Sequence, residues 1–124
     1  MTTAYWCILI AAILPYLFVA LAKVGGPRFD NHCPREYCEK LHGWRKRAYW
    51  THLNGFEAFP PFAVAVLIAQ HSFVEQSTID SLAIAFILAR ILHGIFYIYN
   101  KDILRSLVWT IGFACVVALF VVAA

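Results

Sequence analysis

A chain of 124 residues with 62% hydrophobic and only 14% charged side chains is one domain at most and falls far outside the composition of a soluble globular protein. The formal net charge of +3 comes with no aromatic-rich basic groove and no low-complexity tail, so nothing supports nucleic-acid binding. Four apolar runs, near residues 4–22, 47–70, 78–99 and 103–123, are each long enough to cross a hydrocarbon core, which takes about 17–25 residues. The expected fold is an all-α integral membrane bundle of four transmembrane helices.

The first run has no basic region ahead of it and no small-residue cleavage site leading into a soluble domain. It therefore reads as a span rather than a signal peptide, bent at Pro15, which membrane helices tolerate. The connection from residue 23 to 46, with Arg47 at its end, carries Lys23, Arg28, Arg35, Lys40, Arg45, Lys46 and Arg47. Its turn chemistry lies at Gly25-Gly26-Pro27 and at Asp30-Asn31 with Pro34. A short helix is expected from Pro34 to Leu41, closing at Gly43. The second connection, His71 to Asp80, holds no Lys or Arg, and the third carries Lys101 and Arg105. The positive-inside bias then puts loops one and three in the cytoplasm and both termini on the far side. Gly94 and Gly112 are small residues that let helices approach closely.

Cys7 and Cys115 lie in apolar spans and read as small hydrophobes. Cys33 and Cys38, with His32 and His42 nearby, match no common zinc spacing, and free thiols in a reducing compartment are the expectation; no metal site is assigned.

The second span carries Asn54 and Glu57 on one helix face, with Pro60 and Pro61 about one turn further on. Charged side chains at bilayer depth cost about 2.5–3.5 kcal/mol on insertion scales, so they face a partner, a cavity or a ligand. Arg47 shares that face, and Arg90, His93 and Tyr97 fall together on the third span. If the two faces meet, Glu57 pairs with Arg90 and a polar cavity opens toward the basic side. Such groups also serve as interhelical glue, worth around 0.6 kcal/mol per hydrogen bond. Arg47, Lys101 and Arg105 at the rim suit an anionic ligand with several carboxylates, and an arginine beside a bound thiol stabilises its thiolate. His52 and His71 are expected at the interface.

The pattern Asn54-x-x-Glu57-x-x-Pro60, then Arg90-x-x-His93-x-x-x-Tyr97, then an arginine opening the fourth span, resembles the MAPEG family. These are the membrane-associated proteins in eicosanoid and glutathione metabolism, which include the microsomal glutathione transferases. The similarity runs over essentially the whole chain, residues 1–124 as a single domain. Asp30-Asn31-x-x-Pro34-Arg35 and the run ending Glu57-Ala58-Phe59-Pro60-Pro61-Phe62 look most like its bacterial branch, which implies a bacterial inner-membrane location. The resemblance implies a homotrimer that holds glutathione, as cosubstrate, between subunits near the cytosolic face. It implies that Asn54 and Glu57 contact glutathione, that Arg90 and Tyr97 complete the pocket, and that Arg105 stabilises the thiolate. Family enzymes carry a further arginine four or five residues before the asparagine, where this chain has Tyr49 and Trp50; Arg47 lies seven before.

The activity so implied is a membrane-bound glutathione-dependent transferase or peroxidase acting on lipophilic electrophiles from the bilayer. The alternative is a non-catalytic subunit of the same fold that binds lipid or another membrane protein, which the missing arginine favours. A proton-driven four-helix exporter would need a membrane Glu in the first span, where this chain has no charge within the run.

Overall fold

The computed structural model describes residues 1–124. It is all-helical: α1 (Thr3–Lys23), α2 (Pro34–Glu39), α3 (Gly43–His71), α4 (Gln76–Ile98) and α5 (Asp102–Ala123). All but α2 are long and apolar enough to cross a membrane. The large exposed side chains are apolar over most of their length, as with Leu17, Leu67, Leu88 and Phe113, which is the surface a lipid-facing bundle presents.

Helix α1 packs along α3 and α4 along α5, with α3 bridging to both α4 and α5. Small residues make these approaches possible. Ala4, Cys7 and Ala11 on α1 meet Ala65 and Ala69 on α3, and Ala83 on α4, within one core. At its centre the rings of Phe62 and Phe86 stack 3.9 Å apart at 9°. Lipid tails are as apolar as the core, so close van der Waals packing rather than hydrophobic transfer holds such helices together.

Of the two glycines singled out in the sequence, Gly94 is tightly covered, since a Cβ there would lie 2.0 Å from Phe18 Cζ. Gly112 is not: an added Cβ would meet Ala89 at an ordinary 3.5 Å. The glycine overlooked is Gly55, whose absent Cβ would fall 2.7 Å from Pro15 Cγ. A proline ring cannot swing aside, so Gly55→Ala should destabilise the fold by about 1–3 kcal/mol through overpacking. Gly112→Ala should be neutral or stabilising by up to about 1 kcal/mol, because alanine is the better helix former. Thermal unfolding of the two variants in one detergent decides the contrast.

The end that carries the first spans' termini is closed by a polar cluster. Asp80, in the second turn of α4, accepts from the Ala4 amide at 3.0 Å and from Gln76 at 2.8 Å. Gln70 and Gln76 pair reciprocally at 2.7 and 2.9 Å, and Thr2 donates to Gln70 at 3.0 Å. Asp80 thus answers an orphan donor at the start of α1, where negative charge is favoured.

The opposite, basic end is organised by Arg45, Lys46 and Arg47. Each caps the C-terminal end of a different helix. Arg45 donates to the carbonyls of Ala22 (3.2 Å) and Val24 after α1. Lys46 donates to those of Cys38 (3.4 Å) and Glu39 in α2. Arg47 donates to Ile98 at the end of α4 through Nε (3.1 Å) and Nη2 (3.0 Å). Orphan carbonyls and the negative end of the helix dipole both favour a cation there. This explains two departures from expectation. Gly43 opens α3 rather than closing α2, and α3 begins at Gly43 rather than near residue 47. The basic run is the first turn of the helix because its side chains are needed there as caps. Cys38, Leu41, Ala48 and Tyr49 then seal loop one against Ala22.

Candidate functional site

On α3, Asn54 and Glu57 fall on one stripe with Trp50 and Pro61, at helical spacings of four, three and four. On α5 the corresponding stripe is Arg105, Trp109, Gly112, Phe113 and Val116. Between the two helices lies α4, presenting Phe86 and Arg90. Asn54, Glu57, Arg90, Trp109, Gly112 and Phe113 line a cavity of about 150 Å³ that opens on the outer face of the single chain. Its walls differ in character. The α3 side and floor set Asn54, Glu57 and Arg90 among Ala58, Pro61 and Phe86, whereas the α5 side is the stacked pair Trp109–Phe113, with ring centroids 5.5 Å apart and an interplanar angle of 5°.

Arg90 is the buried member, 6% exposed. Glu57 was expected to pair with it, and that pairing is not formed. Arg90 Nη2 donates to Asn54 Oδ1 at 2.6 Å, and the one ion pair within 4 Å is Lys40–Glu36 in loop one. Physically, a neutral amide satisfies the guanidinium without the desolvation of a second charge. Glu57 is left on the exposed lip of the cavity, facing outward with its carboxylate free of any protein partner.

One to two turns toward the basic end from the cavity's residues, Trp50, Tyr97 and Arg105 cluster as a rim. The Arg105 guanidinium lies over the Tyr97 ring, 4.6 Å from its centroid, a cation–π contact. Trp50 approaches the same ring at 6.2 Å. Seven residues separate Arg105 from Gly112 and Arg90 from Tyr97, so the rim stands about 10 Å above the cavity floor at 1.5 Å rise per residue.

The other expected site residues lie elsewhere. His93 is 3% exposed, turned into the bundle behind the floor. It packs edge-on against Tyr97 at 5.5 Å, and its Nδ1 has no hydrogen-bond partner. Arg47 faces the end of α4 and lines a separate open hollow with His42, Lys46, Trp50 and Asn100. His52 is half-buried and its Nδ1 donates to the Pro15 carbonyl at 2.8 Å, tying α3 to α1. Trp109, Gly112 and Phe113 were overlooked because, in sequence, they are ordinary members of an apolar span. The signal that places them is their helical register with Arg105.

The four cysteines are unbridged, and no three metal-ligating side chains come together. Cys38 is buried, and burial pushes its thiol up despite the pull of Lys23 and Lys46, which makes it a poor nucleophile. In the same loop the ammonium of Lys40 holds Glu36 below the usual carboxylate range.

A carboxylate free of partners and an amide-held guanidinium in one cavity, with a second guanidinium nearer the basic end, suit a zwitterion with an additional anionic group. No curated protein matches the chain. A family model described as MAPEG family matches residues 3–124, essentially the whole sequence. This multi-pass membrane protein belongs to the MAPEG family.

Proposed function

We propose that the chain is a glutathione-dependent transferase or peroxidase for lipophilic electrophiles, working as a homotrimer with the basic end in the cytosol. The observation that carries this reading is the free carboxylate of Glu57 beside the amide-held guanidinium of Arg90 in one cavity, with Arg105 about two helical turns nearer the basic end. The γ-glutamyl end of glutathione presents an ammonium and a carboxylate on one carbon, which match Glu57 and Arg90 respectively. An extended tripeptide spans about 10 Å, similar to the rise of seven helical residues between Arg90 and Tyr97, so with the γ-glutamyl end at Glu57 and Arg90 the cysteinyl thiol and the glycine carboxylate point toward Arg105.

The single-chain cavity of about 150 Å³ is well under the roughly 300–1,000 Å³ of a small-molecule site. Glu57 lies exposed on its lip. A second copy of the chain supplies the missing wall, which supports placing glutathione between subunits.

In the reaction, the thiol S–H ionises, its proton passing to water, and the Arg105 guanidinium stabilises the thiolate. The sulfur lone pair then forms a C–S bond to the electrophilic carbon while the leaving group departs with its bonding pair. Orientation and thiol activation supply the rate enhancement, so no protein cysteine takes part. Stopped-flow absorbance at the thiolate band should show glutathione ionising on mixing with the wild type, and an amplitude reduced about tenfold or more in Arg105→Ala. Equal signals in the two proteins remove Arg105 from the reaction. No glutathione binding at millimolar concentration, together with stable association with another membrane protein, would favour a non-catalytic subunit instead.

A further inference from the structure

We propose that Arg47 is a positioning residue for the thiolate site: by capping α4 it fixes the turn that carries Arg105 and the ring on which Arg105 rests. The inference rests on the assignment of thiolate stabilisation to Arg105, and goes beyond it in naming what holds that guanidinium in place.

The turn between α4 and α5 is short and tightly specified. The Lys101 amide bonds to the Phe96 carbonyl at 2.8 Å and the Asn100 amide to that of Tyr97 at 3.1 Å. That is the paired bonding of a Schellman ending, with Asn100 in the left-handed conformation at φ 59°. This pattern answers the carbonyls of Phe96 and Tyr97 and leaves that of Ile98 without a backbone donor. Arg47 takes it with two N–H groups from one edge of the guanidinium. The next bond in the chain, from the Arg105 amide to the Lys101 carbonyl at 2.8 Å, starts α5 and brings Arg105 back over Tyr97. Tyr97 is the neighbour of the clamped Ile98. Trp50, one turn along α3 from Arg47, closes on the same ring.

Arg47 therefore ties α3 to the α4–α5 turn at the level of the rim. An arginine serving glutathione directly would face the cavity of Asn54, Glu57 and Arg90. Arg47 does not line it.

The test uses the full chain in nanodiscs with glutathione as probe, comparing the wild type with Arg47→Ala and Arg47→Lys. Thiolate absorbance is followed against pH, and Kd is measured by calorimetry. Arg47→Ala should raise the half-ionisation pH of bound glutathione by about one unit, a tenfold loss of thiolate at a given pH below it. Its Kd should change less than about threefold, well under the tenfold that 1.4 kcal/mol represents. Arg47→Lys should recover most of the profile, since an ammonium also caps a carbonyl. A tenfold weaker Kd with an unmoved pH profile overturns the proposal in favour of direct ligand contact. A lower melting temperature with both unmoved reduces Arg47 to a structural cap. If the wild type ionises no glutathione, the thiol-transferase reading falls separately. The side-chain Nε–Hε resonance of Arg105 then decides: its loss in Arg47→Ala supports the clamp, and its retention overturns it.

Discussion

Arg90→Met is expected to weaken glutathione binding by about 100-fold while leaving the melting temperature of the protein unchanged or slightly higher. The two halves of that result come from different physics. Arg90 is buried, and its one side-chain hydrogen bond is to a neutral amide. Replacing a buried charge that has no ion-pair partner by an apolar side chain of similar length removes a desolvation penalty of several kcal/mol. Methionine adapts to irregular gaps. What the fold loses is a bond to Asn54, worth about 0.6 kcal/mol between membrane helices. Binding loses a charge-assisted contact to a carboxylate, about 1.5–3 kcal/mol, together with the orientation of Asn54 that the guanidinium maintains. Calorimetry with glutathione and thermal unfolding in the same detergent separate the outcomes. A clear drop in melting temperature with unchanged affinity would mean that Arg90 serves the bundle as glue.

The transmembrane architecture was legible because its signal is length and apolarity, and both are local. Each long helix covers an apolar run recognisable in the sequence. The entry to α3 was less legible for an equally physical reason. Trp44-Arg45-Lys46-Arg47 carries the charge and tryptophan of a membrane boundary, yet its three cations reach carbonyls contributed by α1, α2 and α4. Those partners lie 7 to 51 positions away in the chain, and no local pattern announces them. Gly55 is similar. Its reason for being glycine is Pro15 on another helix, visible only once α1 and α3 are packed.

Spacing alone put Asn54 and Glu57 on one stripe of α3, since residues three, four and seven apart share a helical face, but it also grouped His93 with Arg90 and Tyr97, where the structure turns His93 into the bundle. Spacing does not set the relative height of two antiparallel helices. That height decides whether Arg90 meets Asn54 or the residue three further on, and it meets Asn54. The aromatic wall was hidden because Trp109 and Phe113 are also what a lipid-facing span contains. Only the adjacent polar side chains of the cavity distinguish them from neighbours that face the bilayer alone.

The largest effect specific to ligand chemistry is expected at Glu57, through a cycle that changes protein and ligand together. Glu57→Gln should weaken glutathione binding by about 10- to 100-fold, the loss of one charge-assisted hydrogen bond of about 1.5–3 kcal/mol. N-acetylation of glutathione removes the ammonium and should weaken binding to the wild type by a similar factor. The two losses should not add. With Glu57 already neutral, acetylation should change affinity by less than about threefold, and the interaction energy of the cycle should then exceed about 1 kcal/mol. This follows from the free carboxylate: Glu57 has no ion pair in the protein to break before it meets an ammonium. If instead the carboxylate grips a neighbouring subunit, Glu57→Gln weakens the acetylated and unmodified tripeptides equally and loosens the assembly seen by native mass spectrometry. Additive losses with an intact oligomer would mean that the ammonium is bound by another group, and the orientation proposed for glutathione would have to be reversed.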